Sequence, residues 1–207
     1  MAAGDAKTSR PVTHKDENRR DAILRTATKL FSERGFRETN LNQIALELNF
    51  RRQAVYHYFP AKEEILYELI AQAGAAMTES SQSLFDADLP PDVKLARIIA
   101  NHVRVVLSRV DIFRVQFKEL DKLTGPRAQA LRDGMWSYVQ RTARVIEAGQ
   151  DAGIFVSAPP ISQALLIIGM CNGTTEWYDG ERTHLTVDQV ADDAARLAIS
   201  GLTAKSG

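Results

Sequence analysis

An all-α fold is predicted for this chain. It comprises a three-helix head built around a helix-turn-helix and a larger helical domain behind it, about nine helices together. Three observations predict it. The stretch from Asn40 to Lys62 reads as two short helices joined by a tight turn. Apolar residues recur at helical spacing on both sides of that stretch, from Ile23 to Leu202. Gly and Pro punctuate the pattern at Gly35, Pro60, Pro90-Pro91, Gly125-Pro126 and Pro159-Pro160, where helices stop or start.

The first 17 residues are polar and lack helical periodicity, so residues 1–17 are expected to be a mobile arm. The head is expected over residues 18–66 and the larger domain over 67–207. The first helix starts at about Asn18 and gathers Ile23, Leu24, Ala27, Leu30 and Phe31 on one stripe. Gly35 closes it in the C′ position. Asn40 suits an N-cap, and Gln43 completes a capping box three residues on. Ile44, Ala45 and Leu48 then face a core. Asn49 is one of the few non-glycine residues that tolerates a left-handed exit from a helix, and Phe50 plugs the corner. A helix carrying Arg51 to Phe59 follows and is stopped by Pro60.

This last helix has an unusual surface. At about 100° per residue, Val55 and Phe59 share a side that packs inward. Arg52, Gln53, Tyr56 and His57 fall within an arc of about 140° beside it. Arg can pair with guanine, Gln with adenine, and aromatic rings can touch thymine methyls or phosphates. A sharp turn followed by a helix with this exposed set is the pattern of a DNA-reading helix-turn-helix. Taken alone, the window also fits an ordinary helical hairpin. If the head reads DNA, Lys7, Arg10, His14 and Lys15 give the arm a means of touching phosphates or the minor groove; the alternative is a solvated tail.

Lys62 opens a helix expected to run to about Gln82, with Glu63 and Glu64 suited to its positive N-terminus. Residues 86–92 break the chain. Helices are then predicted from about Asp92 to Arg109, from Asp111 to Thr124, and from Pro126 to about Asp151. Gly153 and residues 154–160 form a loop. Ile161 to Trp177 is apolar on most sides, which marks a helix buried from more than one direction. Val187 to Leu202 is amphipathic and ends the fold.

Two runs carry a family resemblance: Ile23-Leu24-Arg25-Thr26-Ala27-Thr28-Lys29-Leu30-Phe31-Ser32-Glu33-Arg34-Gly35-Phe36, and Tyr56-His57-Tyr58-Phe59-Pro60-Ala61-Lys62-Glu63-Glu64-Ile65-Leu66. With the stretch between them they resemble the N-terminal domain of the TetR/AcrR family of one-component bacterial transcription regulators, over about residues 19–70. The chain departs from the pattern at Asn49 (usually Gly), Arg51 (usually Ser or Thr) and Ala61 (usually Ser). The last two remove N-caps worth about 1 kcal/mol each.

The resemblance implies a homodimeric repressor that binds double-stranded, palindromic operator DNA and releases it when a small molecule enters the C-terminal domain. It assigns Asn40, Asn42, Arg51, Arg52, Gln53, Ala54, Tyr56, His57 and Tyr58 to the DNA interface and places Lys62 near phosphate. It implies that helices 161–177 and 187–202 form a two-fold interface through Leu166, Met170 and Leu197; packing within one monomer is the alternative. The larger domain is thus the ligand-binding and dimerisation domain. Its aromatics, Phe113, Phe117, Trp136, Tyr138 and Trp177, are scattered. The expected lining of its cavity is His102, Phe113, Phe117, Trp136, Met170 and Trp177.

The run Gly173-Thr174-Thr175-Glu176-Trp177-Tyr178, with Leu185-Thr186 and Gly201-Leu202, resembles one branch of the family. Members of that branch control fatty-acid or sterol breakdown and respond to acyl-CoA thioesters. Arg104, Arg109, Arg114 and Arg182 are candidates for CoA phosphates or solvated cations. The competing effector class is a hydrophobic drug, as for efflux-pump repressors.

Composition narrows the alternatives. The 207 residues balance 26 basic against 26 acidic side chains, which argues against a bulk nucleic-acid coat or a polybasic membrane binder. Local phosphate contacts remain compatible with this balance. Cys171 is the only cysteine, so neither a disulfide framework nor a Cys-based zinc site is expected. No metal-spaced cluster, phosphate-cradling Gly loop or nucleophile elbow is present. No catalytic residue, cofactor or metal is therefore predicted. The runner-up reading is a helical ligand-binding or enzymatic domain that does not read DNA. No membrane span or signal-peptide core is seen, and the expected location is cytoplasmic, at the nucleoid when operator-bound.

Overall fold

The computed structural model describes residues 14–203. Among them the regular elements are helices, with an isolated antiparallel bridge between Phe155 and Thr203. The chain divides into two compact units between Ile65 and Leu66.

The first unit contains α1 (His14–Arg34), α2 (Leu41–Glu47), α3 (Arg52–Tyr58) and the first turn of α4 (Lys62–Asp86). Helix α1 begins at His14 rather than near Asn18, so His14 to Glu17 belong to it. The rest of the expected arm, with Lys7 and Arg10, lies outside the described residues. Ile23, Leu30, Ile44, Val55, Phe59 and Ile65 are each fully buried in this unit. Thr39 is also buried, its hydroxyl donating to Gly35 O at 2.9 Å. Asn40 caps α2 as expected: its side-chain oxygen receives the Asn42 and Gln43 N–H bonds, and Gln43 Oε1 accepts from Asn40 N at 2.8 Å. Asn49 sits at φ 53°, so the sharp turn is made by a residue in the left-handed region. Arg51 precedes α3 without a side-chain cap bond; the second and third N–H groups of α3 are not served as a Ser or Thr would serve them.

The second unit contains the rest of α4, then α5 (Pro91–Ser108), α6 (Val110–Glu119), a 3-10 turn (Leu120–Lys122), α7 (Gly125–Asp151), α8 (Pro160–Trp177), α9 (Gly180–Thr183) and α10 (Val187–Leu202). Two helix ends and one added helix differ from expectation. Helix α4 continues one turn past Gln82 to Asp86, where Gln82 and Asp86 hydrogen-bond across that turn. Helix α6 stops at Glu119 and tightens into the 3-10 turn before Gly125, whose φ is 84°. Helix α9 is additional. Asp179 starts it by accepting the Glu181 and Arg182 N–H bonds, and His184 ends it at φ 56°.

Helix α5 is the central post, packed on α10, α8 and α7. Leu95, Ile98, Ile99 and Val103 supply its buried stripe. Helix α10 presents Ala191, Ala194, Ala195 and Ala198, small side chains that let two helices approach closely. The end of α10 is tied back by Val156 N donating to Leu202 O at 2.8 Å. Gly149 is required where that loop returns, because a Cβ there would lie 2.2 Å from the buried Phe155 ring.

Candidate functional site

Helix α3 is only seven residues long, and its identity is set by what it hides. Val55 and the following Phe59 are fully buried, and the Arg20 guanidinium lies 4.9 Å from the Phe59 ring centre. This orientation turns Arg52, Gln53, Tyr56 and His57 outward, with Ala54 and Tyr58 half-buried at the edges. Arg52 is held along the helix surface by Tyr56. Its Nη2 donates to the Tyr56 hydroxyl at 3.4 Å, and its guanidinium is 5.3 Å from that ring centre. His57 packs edge-on against Tyr58 at 5.3 Å. Arg51 and Asn42 are exposed. Asn40 has committed its side-chain oxygen to the α2 cap. The face therefore offers two guanidiniums, two amides, a phenol and an imidazole, groups that pair with base edges and phosphates.

Lys62, expected beside phosphate, is bonded within the head. Its ammonium donates to three carbonyls, Phe36 O at 2.6 Å, Thr39 O at 3.0 Å and Arg37 O at 3.2 Å. It also lies 4.3 Å from the Phe36 ring centre. An ammonium has three donors, and all three are engaged inside the head.

The second unit holds an open-sided cavity of about 680 Å³. Helix α4 lines it with small residues, including Ala71, Gly74, Ala75 and Thr78. Helix α6 contributes Phe113, Gln116 and Phe117. Helix α7 contributes Leu131, Gly134, Met135, Tyr138 and Val139, and α8 contributes Ile168, Asn172 and Glu176. Gly74, Gly134 and Gly173 all border it, and a Cβ built on any of them meets nothing within 4 Å. The hollow is thus kept open by side chains that are absent or short.

Its polar interior is a chain of neutral groups. His102 Nε2 stands 2.8 Å from Asn172 Oδ1, and His102 Nδ1 stands 3.1 Å from the Tyr138 hydroxyl. The acceptor on Asn172 assigns the ring proton to Nε2, so Nδ1 accepts from Tyr138. Burial lowers the His102 pKa to about 4, against the smaller opposing effect of its bond to Asn172. Burial likewise holds the Tyr138 phenol above its usual range and lifts the Cys171 thiol to about 12. Gln116 is the exception to full pairing. Its Nε2 reaches Met135 Sδ at 3.8 Å, while its Oε1 is buried without a partner.

Of the residues expected to line the cavity, His102, Phe113 and Phe117 do so. Trp136, Met170 and Trp177 do not. The α7 lining advances through Leu131, Met135 and Tyr138, and Trp136 lies about 100° from Met135 around the helix, 46% exposed. Met170 packs against the main core instead. Trp177 is the last residue of α8 and 52% exposed. Gln116, Asn172 and the small residues of α4 were missed. The run Ala71-Gln72-Ala73-Gly74-Ala75-Ala76 was the available signal, since a long helix with so little volume on one face leaves space beside it. None of Arg104, Arg109, Arg114 and Arg182 lines the cavity. Arg104 instead pairs with Asp188 at 2.6 Å and Asp192 at 3.0 Å, and Arg114 donates to Thr175 O. Among the described residues no group of His, Cys, Asp and Glu could hold a metal ion, and no helix is long and apolar enough to cross a membrane.

Comparison with known proteins places these features in a family. Residues 23–69 match the family described as bacterial regulatory proteins, tetR family, and residues 88–202 match the tetracyclin repressor-like C-terminal domain. The transcriptional regulator HbdR of Aromatoleum sp. (strain CIB) is 27% identical over 164 residues, covering 78% of this chain and 69% of HbdR. The fold is shared with the ketosteroid transcriptional regulator KstR2 of Mycobacterium tuberculosis at a TM-score of 0.84 and 21% identity, covering 99% of this chain and 100% of that one. It is shared also with AibR in complex with isovaleryl coenzyme A and operator DNA, at a TM-score of 0.77 and 22% identity, covering 86% and 97%. The chain belongs to the TetR family of DNA-binding transcriptional regulators.

Proposed function

We propose that the chain is a homodimeric repressor that leaves a palindromic operator when a small molecule fills the cavity of its second unit. The observation that carries the DNA half is the division of α3 into a buried Val55–Phe59 side and an exposed Arg52, Gln53, Tyr56 and His57 side. In this reading Arg52, Gln53 and Tyr56 meet base edges. Arg51, Asn42 and His57, with the edge residues Asn40, Ala54 and Tyr58, hold the backbone.

The dimer reading is supported by leucines that the monomer leaves exposed on α8 and α10. Leu166 on α8 is 72% exposed and Leu197 on α10 is 66% exposed, with Leu165 also exposed. Burying such side chains contributes about 1.5–3 kcal/mol each. Two copies related by a two-fold axis also supply the two heads that a palindromic operator requires.

Release is attributed to α4. Its first residue is clamped to the head by the Lys62 bonds, and Ala71, Gly74 and Thr78 farther along border the cavity. A ligand that fits better with α4 shifted favours a head arrangement that no longer matches successive major grooves. The effector is read as an acyl compound, for which the AibR complex with isovaleryl coenzyme A is the supporting precedent. If it enters as a thioester, only the acyl part occupies the cavity, because no Lys or Arg among the described residues lines it. The test is calorimetry with acyl-CoAs, free acids and hydrophobic drugs, with and without operator DNA. Typical allosteric coupling makes each partner weaken the other by roughly 5- to 150-fold, and the two factors must be equal. Equal ligand affinity with and without DNA contradicts the release mechanism.

A further inference from the structure

Gln116 stands apart from the other polar groups of the cavity. The residue is 7% exposed and belongs to the cavity wall. Its neighbour Met135 can accept a weak hydrogen bond but cannot donate one. The amide nitrogen therefore faces the sulfur, as the 3.8 Å contact shows, and the carbonyl oxygen is the end left over. A buried acceptor without a donor carries a desolvation penalty that a bound group can relieve.

The surroundings restrict what that group can be. Phe113, Met77 and Val139 are apolar members of the buried wall, beside the neutral polar groups of His102 and Thr175. No Lys or Arg among the described residues lines the cavity, and its two acidic residues, Asp121 and Glu176, are exposed at the outer part of the wall. His102 has both ring nitrogens engaged, by Tyr138 and Asn172. A carboxylate brought to this end would meet the Gln116 oxygen with no cation to offset its desolvation, a costly arrangement in an apolar site.

We propose that the effector presents an uncharged O–H or N–H donor to Gln116 Oε1 at the buried end of the cavity, and that ionised acids are rejected there. This rests on the reading of the cavity as the effector site. It makes Gln116 the specificity-determining residue within the acyl class proposed above: a chain bearing a neutral hydroxyl or amide is selected over its donor-free analogue.

The test uses the full-length protein and three matched probes, 4-pentylphenol, 4-pentylanisole and 4-pentylbenzoate, in calorimetric titrations. The phenol carries the donor, the anisole has it methylated, and the benzoate is ionised. The wild type is expected to bind the phenol at least about tenfold more tightly than either of the others, since a site built around a hydrogen bond discriminates strongly against a partner that cannot make it. Gln116→Leu removes the acceptor and is expected to erase the preference for the phenol over the anisole while both still bind. Gly134→Phe, placed where a Cβ meets open space, is expected to block all three. Equal binding of phenol and anisole to the wild type, both lost in Gly134→Phe, overturns the donor rule and leaves the cavity as a ligand site. A phenol preference that survives in Gln116→Leu overturns the role of Gln116. Phenol binding unchanged in Gly134→Phe, or no phenol binding to the wild type, overturns the cavity reading and this proposal with it.

Discussion

Lys62 Nζ donates to Phe36 O at 2.6 Å and lies 4.3 Å from the centre of the Phe36 ring, so one side chain fixes the start of α4 to the loop between α1 and α2. Lys62→Met keeps most of the aliphatic stem and removes the charge-assisted bonds. The expected result is a loss of about 1–3 kcal/mol in denaturant unfolding of the head. The salt dependence of DNA binding by the folded variant is expected to match the wild type. A stable Lys62→Met protein whose salt slope falls by about one would instead assign Lys62 to a phosphate.

The exposed leucines of α8 and α10 give a prediction about assembly. Leu166→Glu and Leu197→Glu place a charge where the monomer has solvent-exposed leucine, so each monomer should fold. Sedimentation at micromolar concentration is expected to show a dimer for the wild type and monomers for both variants, with operator binding lost in parallel. A monomeric wild type contradicts the dimer reading.

His102 makes stability depend on pH in one direction. Its folded pKa is about 4, below its ordinary 6.5. Between those values the unfolded chain takes up a proton that the folded chain refuses. Stability is complete above pH 6.5 and declines as pH falls toward 4, by on the order of 3 kcal/mol from this group. The decline in melting temperature over that window is expected to be smaller in His102→Gln than in the wild type. Identical pH profiles would contradict the burial of a neutral imidazole.

Gly149 packs where only hydrogen fits. Gly149→Ala drives a methyl into the Phe155 ring, and overpacking of this kind costs typically 1–3 kcal/mol. Denaturant unfolding should show that loss. An unchanged midpoint would mean the Phe155 ring can move aside.

What was legible in the sequence was mostly local. Asn40 and Gln43 announce their capping box because both partners lie within one turn. Asn49 announces its left-handed turn because few other residues tolerate it. Val55 and Phe59 fix the phase of α3 by spacing alone. Other features depend on partners far along the chain. Lys62 looks like a surface cation until the carbonyls of Phe36, Arg37 and Thr39 come beside it, more than 20 residues away in sequence. Trp136 and Trp177 look like ligand-binding aromatics, yet helical phase turns the first out of the cavity and the end of α8 leaves the second at the surface. Gln116 carried no signal, since its importance lies in the bond it does not make. Helix α9, at four residues, is too short to show a period.

The central claim is that α3 reads DNA with Arg52 at its exposed side. The direct measurement is fluorescence anisotropy of the DNA upstream of the protein's own gene, titrated with wild type and Arg52→Ala, alongside the same DNA with single base pairs exchanged. The expected result is specific binding by the wild type, a loss of about 1–3 kcal/mol in Arg52→Ala, and relaxed preference at one base pair in each half-site. Binding by Arg52→Ala with unchanged affinity and unchanged sequence preference would contradict the account.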